Sequence, residues 1–187
     1  MASEANIKIR DSERTRNQIL HAAQQIFSTQ GYAETGVREI ASIAGSNPAL
    51  VNRYFGSKLK LFEAALQDAL DVRLITDLDK EDFGKKIVER FTLSAETQIN
   101  PLPIMMFGSS DREVRDIVLK LLQQRIVEPL KHWFGTEDGE ARAAQFMVIA
   151  TGFFTFRDLL PLPAFTGTLD KSTAEWLENS FQQIVER

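Results

Sequence analysis

Asn47, Ala49, Asn52 and Arg53 stand within seven residues of one another in the stretch NPALVNR. Their types suit reading a nucleic acid rather than making or breaking bonds. Asparagine can pair with two edge atoms of adenine and arginine with two of guanine, while a small apolar side chain can meet a thymine methyl. Leu50 and Val51, between them, are spaced to pack inward. A helix this short needs a companion to hold it. Ala44-Gly45-Ser46-Asn47-Pro48 supplies the corner at which one would join it. A tight glycine-containing turn between two short amphipathic helices implies a helix-turn-helix, whose second helix can enter a DNA major groove.

The elements around the corner follow from spacing and capping. A first helix is expected from about residue 12 to 29, with Ile19, Ala22, Ala23, Ile26 and Phe27 as its apolar stripe and Gly31 just beyond its end. The next should start near Gly36, a permissible N-cap, with Glu39 placed to reach back to a free amide. Asn47 should cap the recognition helix, with Pro48 in its first turn, where no amide donor is needed. Ser57 should cap a fourth helix running to about Ile75, its stripe being Leu61, Phe62, Ala65, Leu66 and Ala69.

Thr15-Arg16, Ile19-Leu20, Ala22-Ala23, Phe27, Gly31-Tyr32, Val37-Arg38, Ile40-Ala41, Ala44-Gly45, Tyr54-Phe55 and Ser57-Lys58 carry a closer likeness. In types and spacing this third of the chain resembles the tetracycline-repressor (TetR) family of regulators. It departs from the family pattern at Gly36, usually Ser or Thr, at Ser46, usually apolar, at Asn52, often Tyr, and at Leu59, often acidic. The resemblance implies that Tyr54 touches a phosphate through its hydroxyl and that Lys58 does likewise. A helix N-terminus favours phosphate through its free amides, and Lys58 adds a full charge. Thr35 and Arg38 are expected to contact the DNA backbone. Family proteins pair their last two long helices across a two-fold axis, so a homodimer on a double-stranded DNA operator is implied. Two recognition helices then meet half-sites roughly 34–36 Å apart or a multiple of that.

Composition narrows the alternatives. The 187 residues are 43% hydrophobic and 26% charged, ordinary for a globular chain with a real core. There is no cysteine, and the two histidines, His21 and His132, lie far apart, so disulfides, thiolate chemistry and a histidine metal cluster drop out. No metal, cofactor or enzymatic activity is expected. The opening MASEANIKIRDSERTR lacks the apolar core of a signal peptide, and the apolar run Phe146 to Phe156 is shorter than the about 20 residues a bilayer requires. A cytoplasmic protein with no membrane association is the expectation. The net charge of −4 argues against indiscriminate coating of nucleic acid, yet residues 1–60 carry +3 and the remainder −7. A mildly basic head on an acidic body lets the head approach phosphate while the body stays clear.

Beyond the polar stretch TDLDKED at 76–82 every pattern is again helical, so the expected fold is all-α: a helix-turn-helix head at 1–60, a connecting helix at about 58–75, and a helical sensing and dimerisation body at 76–187. One helix is expected over about 83–98, ending before Pro101 and Pro103. Ser110 to Glu113 reads as a capping box opening a long helix that Pro129 should kink or locally unwind. Two more should span about 140–160 and 170–185. FMVIATGFFTF, at 146–156, is apolar on nearly every face, which points to burial on both sides. Phe146, Ile149, Phe153, Phe156, Leu177 and Phe181 are the expected dimer contacts. Met105, Phe107, His132, Trp133, Phe153 and Arg157 are the expected lining of a pocket for a small apolar or amphipathic effector, with His132 or Arg157 orienting its polar group. The leading reading is a dimeric repressor released by that effector. The second is a DNA-binding regulator that acts through a protein partner.

Overall fold

The computed structural model describes residues 2–93, 99–135 and 137–186, and all regular structure among them is helical. The chain divides into two compact units, Met1–Ala69 with Pro103–Leu119, and Leu70–Leu102 with Lys120–Arg187. The first unit therefore extends past residue 60 and recruits a segment from far along the chain.

In the first unit α1 (Ala2–Phe27), α2 (Gly31–Glu34), α3 (Val37–Ile43), α4 (Pro48–Phe55) and α5 (Lys58–Ala69) enclose the apolar stripe read from the sequence. Ile19, Ala23, Phe27, Ile40, Leu61, Phe62, Ala65 and Leu66 are fully buried. Phe62 meets Phe27 edge-on at 5.1 Å and Tyr32 at 5.5 Å. The buried carboxamide of Gln24 gives its hydrogens to Ala65 O and Asp68 Oδ2, which ties α1 to the last turn of α5. Residues 103–119 join because Gly108 lets the chain close on Phe62; a Cβ there would lie 2.8 Å from the ring. The one-turn α2 and the extension of α1 back to Ala2 are additions to the expected elements.

Other boundaries move for identifiable reasons. The helix expected to reach Ile75 stops at Ala69, and α6 (Arg73–Thr76) starts afresh. Asp71 interrupts them by accepting from the Arg73 amide at 3.1 Å and from the Arg73 guanidinium at 2.8 and 2.7 Å. That guanidinium holds the Asp71 carboxyl below the usual carboxylate range. Pro101 and Pro103 do not break a helix but open one, α8 (Pro101–Ser109), because Asn100 caps it through Leu102 N and first-turn prolines forgo no bond. The Ser110–Glu113 capping box is not formed. Asp111 takes the Glu113 amide at 2.8 Å, and Ser110 donates back to Phe107 O.

The second unit is built from α6, α7 (Phe83–Leu93), the end of α9 (Arg115–Leu122), α10 (Glu128–Phe134), α11 (Gly139–Phe154) and α12 (Lys171–Glu186). The end expected for the helix of α7, between 94 and 98, lies outside the described residues. Between α9 and α10 the helix widens into a π turn, Gln123–Val127, in which Glu128 N reaches Gln123 O. Pro129 has no N–H, and its ring would press on the carbonyl four residues back, so a local widening relieves it. A second π turn, Thr155–Leu159, ends α11.

The core of this unit corrects the expected interface. Phe146, Phe153, Leu177 and Phe181 are buried within the chain's own core, together with Phe83, Ile87 and Phe134, and Ile149 packs against them half-buried. A ring cluster explains the preference: Phe146 lies 5.2 Å from Phe181 and Phe91 5.8 Å from it. Of the six residues only Phe156 stays exposed.

α7 and α12 touch backbone to backbone at Gly84, where a Cβ would stand 2.0 Å from Glu178 O. Gln182 seals the contact, accepting from Gly84 N at 2.8 Å and donating to Lys80 O at 3.0 Å. Gly84→Ala must push the helices apart, and overpacking of this kind costs about 2–3 kcal/mol. Urea denaturation should show that loss; an unchanged midpoint would mean that the helices separate freely.

Candidate nucleic-acid interface

The corner between α3 and α4 closes through backbone bonds that only a left-handed residue permits. Gly45 sits at φ +59°, Gly45 N donates to Ser42 O, and Ser46 N reaches back to Ala41 O at 2.8 Å. This pair of bonds is the Schellman arrangement, in which the residue after the glycine usually makes an apolar contact. Ser46 occupies that place, and its Oγ is buried with no hydrogen-bond partner among the described residues. Ahead of the corner, Gly36 precedes α3 with no side-chain cap bond. Glu39, expected to reach back there, accepts from Gln30 Nε2 instead.

α4 is fixed at both ends. Asn47 Oδ1 accepts from Ala49 N at 2.8 Å with Pro48 at the first position, and Gly56 at φ +81° ends the helix by donating to Asn52 O. Val51 and Phe55 are buried, which turns Ala49, Asn52 and Arg53 outward. Asn47 is exposed too, but its Oδ1 is committed to the cap. A two-point pairing with adenine needs both ends of the carboxamide, so Asn52 is the residue equipped for it and Asn47 is not while it caps. Leu50 is half-buried.

Tyr54 is half-buried, and its hydroxyl oxygen accepts from Ser12 Oγ at 3.1 Å, which leaves the phenolic hydrogen to give. Ser12, 42 residues earlier, had no sequence signal for this role. Arg16 lies over the Phe55 ring at 5.0 Å, binding α1 to α4. Arg38 is exposed in the first turn of α3. Thr35 is different: it is buried and its hydroxyl donates to Gly31 O, so the expected backbone contact through that hydroxyl is not in place.

Lys58 also departs from expectation. Its Nζ donates to Tyr32 O at 2.9 Å and to Thr35 O at 3.1 Å, and it stands 4.1 Å above the centre of the Tyr32 ring. An ammonium has three hydrogens, so two carbonyls and a ring face use them all. Here Lys58 is a clamp on the loop ahead of α3; to grip a phosphate it must release one of these partners. The Tyr32 ring is fixed in turn by its hydroxyl, which donates to Glu113 Oε1 at 3.1 Å. Burial first, and then that bond, push the Tyr32 phenol up to about 12. Glu113 became visible only in the fold, 81 residues from its partner.

The expected pocket residues are divided between the two units. Met105 and Phe107 belong to the first unit, where Phe107 packs its Cβ against Gly31. His132 is exposed, with Nδ1 2.6 Å from Glu128 O of its own helix. Trp133 lies against Phe83 and Phe134, each at 5.0 Å, while Phe153 and Arg157 share the other end of α11. No group of three or more metal-ligating side chains occurs among the described residues, and no helix among them is long and apolar enough to cross a membrane.

Comparison with known proteins decides the family. Residues 19–65 match the model of bacterial regulatory proteins of the tetR family, and residues 81–185 that of the tetracyclin repressor-like C-terminal domain. The chain belongs to the TetR family. Its members are regulators and not enzymes. The transcriptional repressor NicS of Pseudomonas putida is 38% identical over 61 residues, 33% of this chain and 29% of NicS. The transcriptional activator FasR of Mycolicibacterium smegmatis is 41% identical over 56 residues, 30% of this chain and 26% of FasR. Both matches therefore span less than a third of those relatives. A TetR-family regulator of Streptomyces coelicolor A3 has the same fold over 94% of this chain and 96% of its own, with TM-score 0.55 and 24% identity.

Two substitutions should move stability in opposite directions. Removing the orphaned hydroxyl with Ser46→Ala should stabilise the head by about 1 kcal/mol, since a buried group without a partner costs about 1–3. Lys58→Met removes two charge-assisted hydrogen bonds, each worth about 1.5–3 kcal/mol, and should destabilise by at least one of them. Thermal unfolding followed by circular dichroism checks both, and a rise for Lys58→Met would contradict the clamp.

Proposed function

We propose that this TetR-family protein is a sequence-specific, dimeric transcriptional repressor whose hold on a palindromic operator is released by a small molecule. The observation that carries the reading is the outward face of α4, where Ala49, Asn52 and Arg53 stand on a helix capped at both ends. Asn52 and Arg53 read bases. Arg38 and Tyr54 grip the backbone, and Thr35 and Lys58 can join them only by leaving the partners described above. Selection from a random DNA pool should return a two-fold-symmetric site. Arg53→Ala should weaken binding to it by about 1–3 kcal/mol, the usual worth of one arginine on a base edge, while leaving random DNA bound nearly as before. Equal weakening on both would make Arg53 a phosphate contact only.

Dimerisation is supported by what the second unit leaves uncovered. On α11 Ala141, Ala144, Val148 and Thr151 form an exposed stripe of small side chains, and on α12 Trp176 is 61% exposed. Val148 is 73% exposed in the middle of that stripe. A second copy of the chain covers these residues in the reading proposed, in place of the buried phenylalanines. Val148→Asp should then give a monomer by light scattering at micromolar concentration, with the helical content unchanged. A dimer that survives this change would place the interface elsewhere. NicS is named as a repressor and FasR as an activator. Repression is proposed because NicS, the relative with the longer of the two matches, is a repressor, and a reporter gene placed behind the selected site tests the sign.

A further inference from the structure

Arg157 is a charged side chain of the second unit that is both nine-tenths buried and short of a partner. Its side chain is 10% exposed, and its Nη1 is buried with no hydrogen-bond partner among the described residues. The rest of the guanidinium is held firmly. Nη2 donates to Thr92 O, in the last turn of α7, at 2.7 Å, and Nε stands 3.7 Å from Asp158 Oδ1. Asp158 is itself drawn off toward Asn100, whose Nδ2 donates to its other oxygen at 2.6 Å. The Phe153 ring lies under the guanidinium, 5.6 Å from its carbon; Phe154 is 5.4 Å and Phe91 6.2 Å from Phe153, and those two are 4.6 Å apart.

A buried donor on a charged group is costly when it is left unpaired, more so than on a neutral one. The ordinary fate of such a group is to find an acceptor within the protein or from a bound molecule. The Thr92 and Asp158 contacts account for one side of the fork and explain why the side chain folds inward. They leave the Nη1 side with no acceptor among the described residues. Arg157 also lies in the π turn Thr155–Leu159, an irregularity that often accompanies a functional position in a helix. A planar guanidinium backed by aromatic rings is matched to a carboxylate on an apolar body: the charge pairs with oxygen and the rings take the hydrocarbon.

We infer that Arg157 anchors the carboxylate of the effector, through Nη1, with Phe91, Phe153 and Phe154 contacting the apolar remainder. The effector class is thus a monocarboxylate carrying an aryl or short alkyl group. This inference rests on the ligand-responsive reading, but it can fail by itself. Isothermal titration of the full chain with benzoate and hexanoate, against benzyl alcohol and hexanol as uncharged controls, tests it. The carboxylates should bind at least ten-fold more tightly than the alcohols. Arg157→Gln should remove that preference, and Arg157→Lys should keep part of it. Because Arg157 also ties down the end of α7, Gln could unfold the unit; the wild-type comparison of acid with alcohol then decides alone. Equal binding of acid and alcohol, no carboxylate binding up to tens of millimolar, or a carboxylate preference that survives in Arg157→Gln would each overturn the assignment. Release of the selected operator by an uncharged or cationic compound, with carboxylates inert, would overturn it while leaving the ligand-responsive reading intact.

Discussion

The Tyr32 ring answers to four neighbours at once. It stacks toward Phe27, meets the edge of Phe62, carries the Lys58 ammonium on its face and gives its hydroxyl hydrogen to Glu113. Those neighbours come from α1, from α5 and from the segment 103–119, so a single side chain fixes three stretches that are distant along the chain. The short helix α2 that holds Tyr32 leads through Thr35 and Gly36 into α3, and α3 is the helix that props the recognition helix. Donation to a carboxylate enriches the ring in electron density, which strengthens its hold on the ammonium above it. The aromatic contacts and the ion are therefore mutually supporting rather than merely adjacent. Moving any one of them disturbs the support of α4.

The second unit relies on a different constraint, the near contact of backbones. Gly84 against Glu178 and Gly139 against Lys131 O bring α7 to α12 and α10 to α11 closer than side chains would allow. Such closeness lets a cluster of large rings, Phe83, Phe146, Phe153 and Phe181, share one core. It also explains why so apolar a helix as α11 can satisfy most of its needs inside one protomer. What is left exposed on α11 includes the stripe of Ala141, Ala144, Val148 and Thr151.

Much of the head was legible because its signals are local. Asn47 and Ser57 cap the helices assigned to them, and the Gly45 turn falls where the spacing put it. Period and cap act over four residues, so a single sequence carries them. The failures are of two kinds. Pro101 and Pro103 looked like a stop because proline is ambiguous: it ends a helix from within and begins one from the front, and only the cap at Asn100 tells which. Asp71 broke a helix through its own side chain in a stretch whose apolar spacing was unbroken. The second kind is long-range. Nothing local distinguishes a phenylalanine that faces its own core from one that faces a partner, so the interface was assigned to Phe146, Phe153, Leu177 and Phe181, which the protomer keeps for itself. Likewise nothing near Lys58 or Thr35 announces that both turn toward the carbonyls of Gly31 and Tyr32 in α2.

The double capping of α4 has a thermodynamic corollary. Eight residues are far too few for a helix to persist alone in water, yet here the first turn is closed by Asn47 and Pro48 and the last by Gly56, while Val51 and Phe55 are sunk in the core. The reading surface thus exists before any nucleic acid arrives. Little backbone entropy remains to be surrendered on association, so the heat-capacity change of complex formation should reflect the area covered and not a helix folding as it docks.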